Sequence, residues 1–268
     1  MEPLDAFPAA QGRRIVGVLT DIDDTLTTGG RLGSAAYSAL DRLHAAGLLV
    51  VPVTGRPAGW CDQIARTWPV AAVVGENGAF SMRYDAAARR LRTVFADDAA
   101  SRRDKRERLA GIAQAVLAAV PGCALASDQD YRVADLAIDY CEDVAPLPPP
   151  AVEAIVRVMR EAGLTVKTSS IHVNGWFGDY DKLSMTRRLL REDFGTDLDA
   201  ERERWVFVGD SPNDAPMFRF FPHSVGVANV RDFAGRIEAL PRFVTKAPAG
   251  AGFVELAALL LGFRSRAS

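Results

Sequence analysis

Asp21, Asp23 and Asp24 follow directly on the apolar run Ile15-Val16-Gly17-Val18-Leu19, inside the stretch Thr20-Asp21-Ile22-Asp23-Asp24-Thr25-Leu26-Thr27. The run is short, β-branched and bounded, which is the pattern of a buried strand. The carboxylates therefore fall at a strand end, where α/β sheets place their chemistry. Asp21 and Asp23 are two positions apart, so in extended backbone they point to the same side. Acids crowded in this way are costly unless a cation or a proton-transfer role compensates. Read alone, the cluster fits a helix N-cap or turn as well as it fits a catalytic pair.

Three further segments repeat the arrangement. Leu48-Leu49-Val50-Val51-Pro52-Val53 is an apolar strand ending in Thr54-Gly55-Arg56. Asp181-Lys182-Leu183-Ser184-Met185 opens a helical stretch. Trp205-Val206-Phe207-Val208 is a strand ending in Gly209-Asp210-Ser211-Pro212-Asn213-Asp214. Each has an ordinary reading by itself: a turn, a solvated lysine, a strand-to-helix turn. In this order, each at a strand end or helix start, they form a set suited to Mg²⁺ and a phosphoryl group. The carboxylates are hard oxygen ligands, and a lysine with small donors suits the phosphate.

With these four segments the chain resembles the haloacid dehalogenase (HAD) superfamily of phosphohydrolases, and within it subfamily IIB, the Cof-type and sucrose-phosphatase-like branch. Gly75-Glu76-Asn77-Gly78-Ala79, the form of the last motif and a large insert between the second and third motifs carry the finer likeness. Asp24 stands where many Cof-type members have Gly. The resemblance implies an α/β fold, a Rossmannoid parallel sheet with an inserted α+β cap of the C2 type. It implies Asp21 as nucleophile, forming an aspartyl-phosphate, and Asp23 as general acid and base. It also implies Mg²⁺ held by Asp21, the Asp23 backbone carbonyl and Asp210, with Asn213 and Asp214 as support or further ligands. Thr54, Gly55 and Lys182 are the phosphate donors. The expected activity is Mg²⁺-dependent hydrolysis of a small phosphate monoester, foremost a sugar phosphate. A phosphomutase of the phosphomannomutase type uses the same two aspartates. A non-enzymatic phosphate-sensing module shares the acidic pocket and lysine, but not the Asp-x-Asp pair or the cap.

The elements that must position these residues are legible in outline. Strands over 15–19, 48–53 and 71–74 alternate with helices near 35–46 and 60–68, a βαβ series that implies a parallel sheet. Asn77-Gly78 and Tyr84-Asp85 punctuate a hairpin. From Arg83 to Phe177 the order becomes helix-strand-strand, twice, which suits an antiparallel sheet with helices on one face. The expected domains are a core of residues 1–82 and 178–268 and a cap of 83–177. Candidate substrate contacts are Arg56, Arg132, His172, Asn174 and Trp176. Arg56 either binds substrate or pairs with an acid. Alternation over 171–176 puts His172, Asn174 and Trp176 on one face, either the solvent side of the cap sheet or the roof of the site. The resemblance points to the roof, and a Trp beside polar groups suits a sugar.

Composition bounds the remaining choices. A chain of 268 residues with 49% hydrophobic and 25% charged residues is one large or two modest globular domains. A net charge of -2 gives no drive toward nucleic acid or anionic membranes. Arg102 to Arg108 is basic but carries interleaved acids and no neighbouring aromatics, so it reads as a solvated helix face. Pro146-Leu147-Pro148-Pro149-Pro150 reads as a stiff entry to a helix. Cys61, Cys123 and Cys141 show no paired spacing and fit a reduced compartment. His44, His172 and His223 are too scattered for a zinc site. No signal-peptide pattern opens the chain and no apolar run reaches membrane-spanning length. The expectation is a cytoplasmic enzyme acting on a small phosphorylated molecule. Nothing in the sequence speaks to oligomeric state.

Overall fold

A computed structural model describes residues 1–265. The chain opens with β1 (Glu2–Pro3) and a single turn, α1 (Ala9–Gly12). Then β2 (Gly17–Thr20), α2 (Ser34–Ala45), β3 (Leu49–Pro52), α3 (Ala58–Thr67) and β4 (Val73–Gly75) alternate, followed by the hairpin of β5 (Phe80–Asp85) and β6 (Arg90–Phe95). The insert holds α4 (Ala99–Ala119), β7 (Ala124–Leu125), β8 (Leu136–Asp139), α5 (Pro149–Glu161), β9 (Thr165–Thr168) and β10 (His172–Trp176). The chain ends with α6 (Lys182–Phe194), α7 (Leu198–Glu201), β11 (Trp205–Gly209), α8 (Ala215–Phe220), β12 (Ser224–Gly226), β13 (Phe243–Val244) and α9 (Ala249–Ser265).

Six parallel strands make the core sheet, in the order β1-β13-β12-β11-β2-β3. From β2 the chain steps to β3 on one side and later returns to β11 on the other, so the strand order reverses at β2. Such a switch point opens a crevice at the carboxyl ends of the strands. Alternation fills both faces. Val18, Val50, Val206 and Val208 pack with Leu40, Ile64 and Phe253 on one side. Leu19, Val51 and Phe207 pack with Leu189, Leu190 and Met217 on the other. Gly17 is required by its neighbour: a Cβ there would stand 2.2 Å from the Trp205 ring.

The insert folds on its own core. Its antiparallel sheet, β7-β8-β10-β9, is backed on one face by α4 and α5 through Leu109, Val116, Ile138, Ile155, Met159 and Val173. The other face carries His172, Asn174 and Trp176, all buried, so these residues do not sit on the solvent side of the cap sheet. The expected boundary after Met82 cuts through β5. That strand pairs with β4 over Phe80–Met82 and with β6 along its whole length, and β4 meets β3 through a Val53–Val74 bridge. Residues 83–95 therefore stay with the core, and the crossings to the cap fall near Ala96–Asp98 and Phe177–Asp181.

The basic stretch at the start of α4 is more than a solvated face. Lys105 Nζ binds Asp97 Oδ2 at 2.6 Å and the Phe177 carbonyl at 2.9 Å, one partner on each crossing. Arg102 and Arg108 lie over the rings of Phe95 and Phe177 at 3.6 and 3.8 Å. Pro149 and Pro150 occupy the first turn of α5, where a missing N–H costs nothing. The three cysteines are free. Among the described residues, no helix is long and apolar enough to cross a membrane.

Candidate active site

Thr20 pairs with Pro52 of β3 and Val208 of β11. The residues just beyond these three strands therefore emerge together, and they are Asp21, Thr54 and Asp210, each buried. Carboxylate oxygens of Asp21, Asp210 and Asp214 lie within 4.8 Å of one another. Lys182 is the first residue of α6, held there by a capping box between Asp181 and Ser184. It is 2% exposed, and its Nζ is 3.1 Å from Asp21 Oδ1 and 2.8 Å from Asp214 Oδ1. Burial pushes the Asp21 carboxyl up to about 7; Lys182 opposes the rise, while Asp214 and Asp23 add to it. Burial also raises Asp210, with Asp214 and Asp21 adding repulsion. Lys182 loses by burial, but its two aspartates more than restore its charge.

The fourth motif divides its work. Asp214 binds the lysine with one oxygen; the other accepts the backbone N–H groups of Asp210 at 3.0 Å and Ser211 at 3.3 Å. It is thus an anchor for Lys182 and the loop. Asn213 accepts the Ser211 hydroxyl at 2.8 Å and lines the cleft. Asp210 accepts from Thr25 Oγ1 at 3.3 Å and from Asn229 Nδ2 at 3.0 Å. Asn229 also donates to the Asp24 carbonyl at 3.0 Å. Sequence reasoning missed it. It too follows a strand end, β12, but Ala228-Asn229-Val230 carries no acid or glycine to mark it. Asp24 holds φ +51, left-handed backbone that glycine adopts freely and Asp tolerates better than most residues.

Asn77-Gly78 is not a simple hairpin turn. Glu76, Asn77 and Gly78 all have positive φ, +41, +54 and +107. A Cβ on Gly78 would lie 2.1 Å from the Asp181 carbonyl oxygen, so this loop abuts the start of α6 and fixes where Lys182 begins. Glu76 is fully buried. It accepts the N–H of Ala58 from the core and those of Val133, Ala134 and Asp135 from the cap, at 2.7–3.1 Å.

On the cap side, Arg56 pairs with acids. Its Nε lies 3.0 and 3.1 Å from the two oxygens of Asp23, with Nη2 2.9 Å from Oδ1. It also reaches Asp128 at 3.3 Å and Glu142 at 2.7 Å, both in the cap. His172 Nε2 is 2.8 Å from Glu142 Oε2, a close contact not aligned as a hydrogen bond. Arg132 binds Asp128 and Asp135 at 3.0 Å and the Gly55 carbonyl at 2.9 Å. Asn174 donates to Asp135 at 2.9 Å. Arg56, Arg132, His172 and Asn174 thus converge with Asp21, Asp23, Gly55 and Asn213 around one space of about 10 Å³. That is no more than a single water's room, so the cap is closed. Trp176 does not reach this space. Its Nε1 donates to the Tyr180 carbonyl at 3.1 Å and its ring stacks on Tyr180, at the joint between cap and core. Asp128, Asp135, Glu142, Ser169 and Ser170 were not foreseen, because they lie in cap loops without periodicity.

Residues 18–96 match the family model of haloacid dehalogenase-like hydrolases. No curated protein matches the chain in sequence. Among solved structures, the fold is similar to that of a HAD/Cof-like hydrolase from Plasmodium vivax, with a TM-score of 0.67 and 18% identity over 95% of this chain and 98% of that one. It is also similar to a sucrose-phosphatase from Synechocystis in complex with sucrose and phosphate, with a TM-score of 0.60 and 15% identity over 92% and 98%. A subclass IIB sugar phosphatase matches with a TM-score of 0.61 and 17% identity over 92% and 99%. At such identities these likenesses are of fold. The family model covers the first two motif segments and the structure brings the other two to the same site, so the likeness to haloacid dehalogenase-like hydrolases is one of sequence over residues 18–96 and of fold over nearly the whole chain.

Proposed function

We propose that the protein is a Mg²⁺-dependent phosphatase that hydrolyses a small phosphate monoester, a sugar phosphate, through an aspartyl-phosphate on Asp21. The observation that carries this reading is the convergence of Asp21, Lys182 and Asp210 beneath an Asp23 whose partners lie toward the cap. Three fold neighbours described as sucrose-phosphatase, sugar phosphatase and trehalose-6-phosphate phosphatase related protein support the sugar.

The donor set fits Mg²⁺. It is all oxygen, with no His or Cys, and its crowded buried carboxylates are raised in pKa by burial and mutual repulsion, which a cation relieves. Asp21, Asp210 and the Asp23 carbonyl would hold the ion, with Asn213 in support and with Asp214, whose two oxygens already hold Lys182 and the loop amides, beside them. When bound, Mg²⁺ neutralises charge between carboxylate and phosphate. Thr54, the Gly55 amide and Lys182 hold the phosphate oxygens. An Asp21 oxygen attacks phosphorus as the ester P–O bond breaks, and Asp23 gives its proton to the departing alkoxide. Asp23 then takes a proton from the water that attacks the aspartyl-phosphate, releasing phosphate and restoring Asp21.

The test is phosphate release from a panel of phosphorylated sugars. Turnover is expected to vanish on chelation, return with Mg²⁺, and be poorly supported by Ca²⁺. Asp21→Asn should keep the fold and lose essentially all turnover. Full activity in excess chelator, or a near-native Asp21→Asn variant, overturns the reading. Rearranged sugar phosphate with no inorganic phosphate would mark a mutase.

A further inference from the structure

We infer that Glu142 sets the charge class of the substrate: the cap accepts a phosphate ester whose leaving group is uncharged and hydroxyl-bearing, and rejects one with a second anionic group. The inference rests on the phosphatase reading above.

The ground for it is the pairing of every cation on the leaving-group side. Arg56 is engaged by Asp23, Asp128 and Glu142. Arg132 is engaged by Asp128 and Asp135. His172 faces Glu142. Even with His172 protonated, three cations meet four carboxylates, and the proton that Asp23 carries as an acid still leaves no positive excess. Lys182 and the candidate metal ligands belong to the phosphate end.

Glu142 is the carboxylate that joins two of these cations, and its place is fixed. Asp139, at the end of β8, accepts the backbone N–H groups of Cys141, Glu142 and Asp143 at 2.7–2.8 Å. The loop thus presents Glu142 in one orientation. Burial opposes its charge, but His172 and Arg56 outweigh burial and hold its pKa at about 2. A carboxylate or second phosphate on the leaving group would have to take Arg56 or His172 from Glu142. It would leave that half-buried carboxylate short of a partner and beside another anion, a juxtaposition that disfavours binding. A hydroxyl meets no such conflict, since it donates to Glu142 or accepts from Arg56 with the charge balance intact. Ser170 and Asn174 line the same space and are neutral groups suited to reading hydroxyls.

The experiment compares glucose 6-phosphate with 6-phosphogluconate, and fructose 6-phosphate with fructose 1,6-bisphosphate. Each is read as phosphate release and as inhibition of p-nitrophenyl phosphate hydrolysis, in the Mg²⁺-loaded wild type and in Glu142→Gln. The wild type should favour the singly charged-group member of each pair by at least about tenfold. Glu142→Gln, which removes the carboxylate shared by Arg56 and His172 and leaves Arg56 with Asp23 and Asp128, should narrow that ratio by gaining on the anionic member. A merely structural role would lower both members alike. Equal or reversed values in the wild type, whether high or low, overturn the inference, as does an unaltered ratio in the variant. If p-nitrophenyl phosphate is hydrolysed while the pairs are treated equally, only the charge selection falls. If it is not hydrolysed at all, the phosphatase reading falls with it.

Discussion

Asn229 ties Asp210, the Asp24 carbonyl and the first amide of α9 to one side chain, since its Oδ1 accepts the Ala249 N–H at 2.9 Å. Changing a group that orients a metal-ligating side chain typically costs about 10–100-fold in metal affinity. Asn229→Ala is therefore expected to raise the Mg²⁺ concentration for half-maximal activity by roughly tenfold, with kcat at saturating Mg²⁺ changed far less. A Mg²⁺ titration unmoved by the substitution would show that Asp210 needs no such support. His223 poses a different question at the far end of the sheet. It is buried against Phe7 with both ring nitrogens unpartnered, and burial lowers its pKa. The folded state thus favours the neutral ring. Stability should be unaffected above the ordinary His pKa of about 6.5 and fall as pH drops below it, because only the unfolded chain takes up the proton there. His223→Leu should shrink the Tm difference between pH 7.5 and pH 5.5; an unchanged difference would place the acid sensitivity elsewhere. The two residues also mark the limit of sequence reading at this scale. Asp21, Thr54 and Asp210 were legible because each stands where an apolar run ends, and Lys182 because it stands where a helix begins. Asn229 meets Asp24 across 205 positions and Arg56 meets Glu142 across 86, and no local pattern encodes such pairings.

At the scale of elements, the loop between β4 and β5 does more than reverse the chain. Its Gly78 abuts α6 and its Glu76 gathers one backbone donor from α3 and three from the loop that leads into β8. Burial pushes the Glu76 carboxyl up to about 8, with Asp135 adding to the rise, while Arg132 and the backbone donors oppose it. Because all four donors need an acceptor, an amide in its place would turn an NH₂ group toward at least one of them. Glu76→Gln is therefore expected to cost about 2–3 kcal/mol, seen as a lower urea midpoint at unchanged slope. A midpoint within error of wild type would mean that water satisfies these amides equally well. The same loop explains a sequence expectation that missed. Alternation in residues 80–95 announces strands, but the partner of a hairpin is not written in its own periodicity. Pairing of Phe80–Met82 with β4 on one side and of β5 with β6 on the other is what ties residues 83–95 to the core. The helix-strand-strand repeat of the cap was readable because each unit is local, its helices marked by prolines and glycines at their ends.

At the scale of the whole molecule, the closed cap leaves about 10 Å³ over Asp21 and Asp23, far too little for a sugar. Substrate entry must therefore part the two domains along a seam made of Arg56 with Asp128 and Glu142, and of Arg132 with the Gly55 carbonyl. The crossings at 96–98 and 177–181 are the available hinge, and Lys105 binds both. Closure of this kind expels water and completes a site around the leaving group. A covalent lock tests whether opening is obligatory. Gly59 lies on α3 of the core and Tyr131 lies in the cap, and a Cβ built on Gly59 stands 3.0 Å from the Tyr131 Cβ. Disulfides need a Cβ separation of about 3.5–4.5 Å, a small adjustment at two exposed positions. The double variant Gly59→Cys/Tyr131→Cys, once oxidised, should lose turnover of sugar phosphates almost completely and regain it on reduction. The reduced form of the same protein controls for the substitutions themselves. Oxidised protein that turns over substrate at the rate of its reduced form would show that substrate enters without the cap leaving the core, and the seam would then be a fixed interface.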